Sequence, residues 1–307
     1  VFLNSSNPIS KPVTIPNDIV SPTRDLERSA VDQIDVEIEA HKKMASDGFR
    51  ETTASLVASS KEYQVLIWET APGTTLDMLM SKAWRRKQDD ASICACIWQV
   101  GDWLRRLHKS SNGQLEVLDF SEFQESLSYH RKSLGPSLQS YLDIAERTFD
   151  QTMRKTGTSL FNIPIARIHG DMTPPNILWS SNQNRLHVVD FEHFDVDFVM
   201  RDLVAFLSTI RAKAFQPWFK VSQLRRWERS FWKGYGIASE ELCVATDSLT
   251  TAWLFYWFLP RYRGEISEQQ LPGFVARSIY TLILEGVMAK HVSRQYGANA
   301  ANAHVLS

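Results

Sequence analysis

Residues 163–198 form a short stretch without helical periodicity, placed between segments whose apolar residues recur every three or four positions. Within it, two apolar runs, Ile177–Trp179 and Leu186–Val189, flank the polar sequence Ser181-Asn182-Gln183-Asn184. Apolar runs on either side of such a turn are typical of a β-hairpin. We therefore predict a hairpin set into an otherwise mostly helical part of the chain.

Polar side chains lie just before and just after this hairpin. Asp171 and Asn176 precede its first strand, and Asp190 follows its second. Because a hairpin brings the loops at its open end together, we expect these three side chains to converge. Carboxylate and amide oxygens suit Mg²⁺, and a second carboxylate would remain as a base. The alternative is a polar surface turn, since Asp and Asn are ordinary turn residues.

The rest of the chain divides into a short first part and a mostly helical second part. A helix is predicted to start from a cap at Asp32 or Asp35 and to end at Gly48, with one face formed by Ile34, Ile38, His41 and Met44. The strand-like sequence 64–68 runs into a Pro72-Gly73 turn, where we place the boundary between two lobes, 1–71 and 72–307. Helical periodicity then dominates, at about 93–107, 136–155, 200–212, 240–259 and 274–293.

Composition excludes several classes of protein. With 34 Lys and Arg against 35 Asp and Glu, the chain has no general basic field for nucleic acid. The longest apolar run, 253–259, is too short to cross a membrane. Three cysteines, of which Cys94 and Cys96 share an apolar helical pattern, fit neither a disulfide framework nor a zinc site. We expect a soluble cytoplasmic protein with reduced thiols.

The sequence His169-Gly170-Asp171, with Asn176 five residues beyond the aspartate and Asp190 after the hairpin, resembles the catalytic and metal-binding loops of the aminoglycoside phosphotransferase and choline kinase family. Four further segments are similar to family landmarks: a helix glutamate at Glu37, a hinge at 66–73, the helix before the catalytic region at Trp103–His108, and Arg201-Asp202-Leu203. The resemblance implies an α+β, protein-kinase-like, two-lobed fold. Its small sheet-containing amino-terminal lobe binds nucleotide, and its mostly helical carboxy-terminal lobe carries catalysis and acceptor binding.

The same resemblance implies a role for each residue. Asp171 is the catalytic base, Asn176 and Asp190 hold Mg²⁺, and His169 and Asp202 support the loop structurally. The backbone at Glu69 and Ala71 binds the adenine of ATP, or the guanine of GTP, and Glu37 pairs with a nucleotide-binding lysine. The acceptor is a hydroxyl of a small molecule such as an aminoglycoside, amino alcohol or sugar.

The amino-terminal lobe departs from the family pattern. The first glycine is Gly48, so no glycine-rich phosphate loop precedes the hinge. Two positions are candidates for that of the nucleotide-binding lysine. One is Asn4, if the chain lacks leading residues, as its start at Val1 instead of a methionine indicates. The other is Lys11, which Pro12 follows. A catalytically silent nucleotide-binding pseudokinase or scaffold is therefore the alternative to an enzyme.

Two other readings are weaker. A protein kinase is disfavoured because the short stretch between Asp190 and Asp202 has no room for an activation segment that docks a peptide. A transition-metal site formed by His187 and His193, which flank Asp190, competes with ordinary packing or surface roles for both histidines.

Overall fold

The structure is a computed structural model of an α+β protein, and it describes residues 30–60, 62–63, 65–83, 90–111, 113–121, 136–213, 219–236 and 238–253. Lys11, the apolar run beyond Trp253 and the predicted helix at 274–293 lie outside the described residues. The described helices are α1 Ala30–Ser46, α2 Leu76–Ala83, α3 Asp90–Lys109, α4 Pro136–Thr156, α5 Met200–Ala212, α6 Val221–Tyr235 and α7 Glu240–Trp253. The strands are β1 Leu56–Ser60, β2 Val65–Trp68, β3 Thr74–Thr75, β4 Gln114–Asp119, β5 Leu160–Ile168, β6 Ile177–Ser180, β7 Arg185–Val188 and β8 Asp195–Phe198.

The strands form three small antiparallel sheets. β1 pairs with β2 in the amino-terminal part of the chain, and the predicted hairpin, β6 with β7, is confirmed with Ile177 opposite Val188. The short β3 adds to the β6 edge of that hairpin. The third sheet has the order β4-β5-β8 and was not predicted. It matters for the site because the hairpin follows β5 in the chain, and the polar loops lie between these strands.

Helix α1 packs its apolar face into the interior. Ile34, His41 and Met44 are buried, as the spacing predicts, whereas Ile38 is only half-buried. The helix already includes Ala30, so the predicted caps at Asp32 and Asp35 are wrong, because both residues lie within the helix. Its end is as predicted, since Gly48 with φ +84° adopts the left-handed conformation that stops a helix at little cost.

Helix α3 is the central element of the second part. Its apolar stripe, including Ile97, Val100 and Leu104, is fully buried. It crosses α6 at very close range, where Gly101 faces Gly234 and its neighbours: a Cβ at Gly101 would lie 2.3 Å from the Phe231 carbonyl oxygen. One continuous apolar core runs from α1 through α3 to α7. Buried residues of the amino-terminal helix therefore belong to the same core as those of the helical part.

Other predictions can be judged from the same elements. Helices over 136–156 and 200–212 lie where periodicity placed them, and the strand at 65–68 is confirmed. All three cysteines are free thiols. Among the described helices, none is both long enough and apolar enough to cross a membrane. The boundary between residues 71 and 72 stays a prediction.

Candidate active site

The loop that follows β5 is held from behind by one buried carboxylate. Asp202, in the first turn of α5, accepts hydrogen bonds from the backbone N–H groups of His169 and Gly170, each at 2.8 Å. His108, at the end of α3, approaches the same carboxylate with Nε2 at 3.2 Å. Burial opposes ionisation of Asp202, but these hydrogen bonds and the nearby histidines outweigh it and keep its pKa below the ordinary value. The carboxylate is therefore charged and fixes the start of the loop.

His169 lies in the interior and its ring is fully engaged. Nε2 lies 3.1 Å from the Val189 carbonyl oxygen, and the Asp171 N–H donates to Nδ1 at 3.3 Å. The ring also packs against Phe191, with centroids 4.8 Å apart. Because Nδ1 accepts and Nε2 donates, both nitrogens are used within the protein. This geometry suits a residue that braces the loop.

Gly170 is required by close approach. Its φ is +84°, and an added Cβ would lie 2.2 Å from the backbone oxygen of His193. Any side chain here would collide with backbone on the far side of the hairpin. The glycine therefore lets the loop before β6 and the loop after β7 lie against each other.

The loop before β6 brings Asp171 and Asn176 into direct contact. Asn176 closes a short 3-10 turn, Pro174–Asn176, and its Nδ2 donates to the Asp171 carbonyl oxygen at 3.0 Å and to Asp171 Oδ2 at 2.9 Å. The Val189 N–H donates to the Asn176 carbonyl at 3.0 Å, so Asp190 follows immediately beside this pair. Asp190 has φ +70°, a left-handed conformation that aspartate tolerates better than most residues. The loops converge as the hairpin geometry predicts.

Helix α1 brings a third acidic group to the Asp190 loop. Glu37 accepts a hydrogen bond from the Phe191 backbone. Burial raises the pKa of Glu37 to about 7, and the charges of Asp190 and Glu192 add to the effect. Carboxylate and amide oxygens, such as those of Asp190 and Asn176, are the donors that Mg²⁺ prefers. The donor chemistry thus fits Mg²⁺, with the Asn176 Oδ1 and the Asp190 carboxylate as its candidate ligands.

A column of aromatic rings connects the site to the amino-terminal part. His41 of α1 lies 4.0 Å from Trp68 and 4.8 Å from Phe191, measured between ring centroids. Burial lowers the pKa of His41 to about 4, so the ring is neutral. The sequence pattern identified His41 only as part of an apolar face. Neither this column nor the contact of His108 with Asp202 could be read from local spacing, because their partners come from distant segments.

The remaining candidate residues lie along the segment after β2. The Glu69 N–H donates to the Ser55 carbonyl at 2.8 Å, so this N–H is engaged within the protein. Ala71 is half-buried, and two residues later Gly73 packs so tightly that a Cβ would lie 2.6 Å from the Trp179 backbone. The hairpin therefore positions this segment.

Over the described residues, no three His, Cys, Asp or Glu side chains are grouped to hold a metal, which gives no support to a transition-metal site at His187 and His193.

Comparison with known proteins places the chain in a class. A protein-family model described as the phosphotransferase enzyme family (APH) matches residues 24–240, well over half of the sequence. Together with an α+β, two-lobed fold of the protein-kinase type, this match defines the class as small-molecule kinases. The chain belongs to the APH phosphotransferase family, which confirms the resemblance drawn from His169, Asp171 and Asn176.

Solved structures with similar folds include three from bacteria. An aminoglycoside phosphotransferase from Streptomyces rimosus is 16% identical over 72% of this chain and 82% of its own, with a TM-score of 0.40. A choline/ethanolamine kinase family protein from Mesorhizobium loti is 12% identical over 82% and 78%, with a TM-score of 0.47. A choline kinase from Streptococcus pneumoniae is 14% identical over 85% and 84%, with a TM-score of 0.42. The family assignment does not depend on these distant likenesses. No protein of curated function matches the chain in sequence.

Proposed function

We propose that this protein transfers the γ-phosphate of ATP or GTP to a hydroxyl of a small molecule such as an aminoglycoside, amino alcohol or sugar. The observation that carries the proposal is the contact between Asn176 Nδ2 and Asp171 Oδ2, at 2.9 Å, beside the Asp190 loop. Phosphoryl transfer requires mainly that the acceptor and the phosphates be positioned and that charge be neutralised. An oriented carboxylate next to oxygen ligands provides both functions.

Asp171 acts as the base in this proposal. Asn176 holds one of its carboxylate oxygens, so the other remains to accept or orient the proton of the attacking hydroxyl. Asp202 and His169 keep the loop in this conformation through the backbone contacts at residues 169–171. These interactions fix the position of Asp171 and leave its Oδ1 for the acceptor hydroxyl.

The opposite side of the pair is assigned to the metal and the nucleotide. Asn176 Oδ1 and the Asp190 carboxylate would hold Mg²⁺, whose chemistry when bound is to neutralise charge on the nucleotide phosphates. Glu37 is proposed to pair with a nucleotide-binding lysine, for which Lys11 is the candidate. The Glu69 carbonyl and the Ala71 N–H are proposed to bond the edge of the base.

The direct test compares Asp171→Asn with the wild type in nucleotide turnover, over a panel of amino alcohols, sugars and aminoglycosides. We expect turnover to fall by about 10²- to 10⁴-fold while nucleotide affinity and folding persist, because the substitution removes the proton acceptor but keeps the shape. Asp197→Asn is the matched control, since that carboxylate pairs with Arg201 instead of lining the hairpin end. Equal turnover in Asp171→Asn and wild type would reject the assignment. Nucleotide binding without turnover on any acceptor would favour the silent scaffold.

A further inference from the structure

Tyr235, the last residue of α6, places a phenol hydroxyl in the protein interior beside the end of α3. The residue is 7% exposed, and its oxygen lies 2.9 Å from His108 Nδ1. Its ring packs on Phe231 and Trp232, with centroids 6.1 and 5.9 Å away. Burial and the charge of Asp202 raise the pKa of Tyr235, so the phenol keeps its proton. A buried hydroxyl group is therefore directed at a histidine that itself contacts the loop support.

The hydrogen-bonding capacity of each group fixes how this chain of contacts works. An ionised Asp202 can only accept, so His108 Nε2, at 3.2 Å, must carry a proton and donate it. In the neutral ring Nδ1 is then an acceptor, and the Tyr235 O–H is its donor; in the charged ring Nδ1–H donates to the phenol oxygen instead. In both states the Tyr235 hydroxyl is the partner that holds the ring in the orientation Asp202 needs.

We propose that Tyr235 is a positioning residue for the catalytic loop, acting through His108 and Asp202 on the backbone amides of His169 and Gly170. The catalytic part of this inference rests on the proposed function. The path consists of four hydrogen bonds, from Tyr235 to His108, from His108 to Asp202, and from the two amides to Asp202. His108 is 7% exposed and Asp202 and His169 are fully buried, so water does not replace a missing member.

The substitution Tyr235→Phe isolates the hydroxyl. The ring and its packing on Phe231 and Trp232 are kept, so the α6 end retains its apolar contacts. His108 Nδ1 is left buried without a partner, which costs free energy unless the ring turns away from Asp202. If the ring turns away, Asp202 loses its third donor; if the ring stays, no hydrogen bond from the Tyr235 side holds Nε2 towards the carboxylate. The expected consequence is a looser loop rather than a lost fold.

Two measurements test whether the loop is looser: hydrogen exchange at the His169 and Gly170 amides, and steady-state turnover with Mg²⁺ and ATP. For Tyr235→Phe we expect about tenfold faster exchange at both amides, and a kcat about three- to tenfold lower with an unchanged KM for ATP. The ¹⁵N signals of His108 should also show a changed tautomer population. Ser208→Ala is the control, because this buried hydroxyl on the same helix as Asp202 bonds, within the part of the chain that the structure describes, only the Ala205 carbonyl and should change none of these values.

A double-mutant cycle keeps the test decisive if Tyr235→Phe is poorly stable. His108→Gln supplies an amide donor to Asp202 that needs no phenol, so Tyr235→Phe should have little further effect on exchange in that background. Unchanged exchange in the single variant, or equal effects in both backgrounds, would overturn the proposal. If the wild type turns over no acceptor, the proposed function fails, whereas the exchange measurement still decides whether Tyr235 acts on the loop.

Discussion

His41 illustrates how burial alone sets the protonation state of one residue. The side chain is 7% exposed, it lies between Trp68 and Phe191, and its hydrogen bond with the Ala54 backbone does not offset the loss of water. The pKa falls to about 4 because the charged imidazolium is disfavoured away from solvent, and the nearby His169 adds to the effect. His41 therefore serves as a neutral aromatic ring that connects α1 to the loop after β7.

This depressed pKa makes stability depend on pH. In the unfolded chain the histidine has its ordinary pKa of about 6.5. The contribution of the neutral His41 ring to the free energy of unfolding is therefore fully present above that pH and is lost as the pH falls towards 4. On acidification, His41→Phe should lose up to about 3 kcal/mol less unfolding free energy than the wild type. Urea denaturation between pH 7.5 and 4.5 measures it, with the half-exposed His193→Gln as control. Equal pH slopes for wild type and His41→Phe would contradict the account.

At the scale of elements, the crossing of α3 and α6 decides which residues can meet. Gly101 and Gly234 let the two backbones approach so closely that a Cβ at Gly234 would lie 2.0 Å from the Trp98 carbonyl oxygen. This proximity brings the end of α6, with Tyr235, against the end of α3, with His108. Glycine at Gly101, in the interior of α3, and at Gly234, in the last turn of α6, is thus explained by packing, although glycine lowers helix stability locally.

Gly101→Ala should consequently destabilise the protein although alanine is the better helix former. We expect a net loss of about 1–3 kcal/mol, because the added methyl group meets backbone atoms of α6 that cannot move separately. Gly157→Ala is a useful comparison, since its Cβ would meet nothing within 4 Å and only its positive φ opposes the change. Thermal and urea unfolding provide the measurement. A Gly101→Ala protein as stable as the wild type would show that the helices can separate freely.

At the scale of the whole molecule, an ion pair connects α1 to the strand that leads into the candidate site. Arg167, two residues before His169 on β5, pairs with Asp47, which follows α1 and also lies 3.4 Å from Lys43. Both partners are largely shielded, with side chains 21% and 18% exposed. The helix that bears Glu37 and the strand that leads to Asp171 are therefore held in one arrangement by charge as well as by apolar packing.

Arg167→Met tests this connection. We expect a loss of about 1–3 kcal/mol of unfolding free energy, because a shielded, hydrogen-bonded charge pair is broken. The double exchange Arg167→Asp with Asp47→Arg should recover part of it. Arg185→Met removes the exposed pair with Glu51 and should cost less than about 1 kcal/mol. If Arg167→Met and Arg185→Met lose equal unfolding free energy in urea titrations, the shielded pair stabilises the protein no more than the exposed one.

Local patterns predicted those parts of the fold that local interactions form. The hairpin of β6 and β7 needs only two apolar runs and a turn between them, and α3 needs only a buried stripe at helical spacing. Strand β4 was missed because its partner β5 lies beyond helix α4, and β8 was missed because it pairs with the same strand after the hairpin. When two strands that pair lie far apart along the chain, the sequence of each strand carries no periodic pattern that identifies its partner.

The family, and the chemistry proposed for the candidate site, can be predicted from residue spacing, because Asp171, Asn176 and Asp190 lie close along the chain on either side of one hairpin. How that site is supported follows only from the folded chain. The contacts of Asp202 with His108, of His108 with Tyr235, and of Glu37 with the Phe191 backbone join segments far apart in sequence. Burial and charge at each of these positions arise from packing, so protonation states and hydrogen-bond partners follow from the folded chain and not from residue spacing.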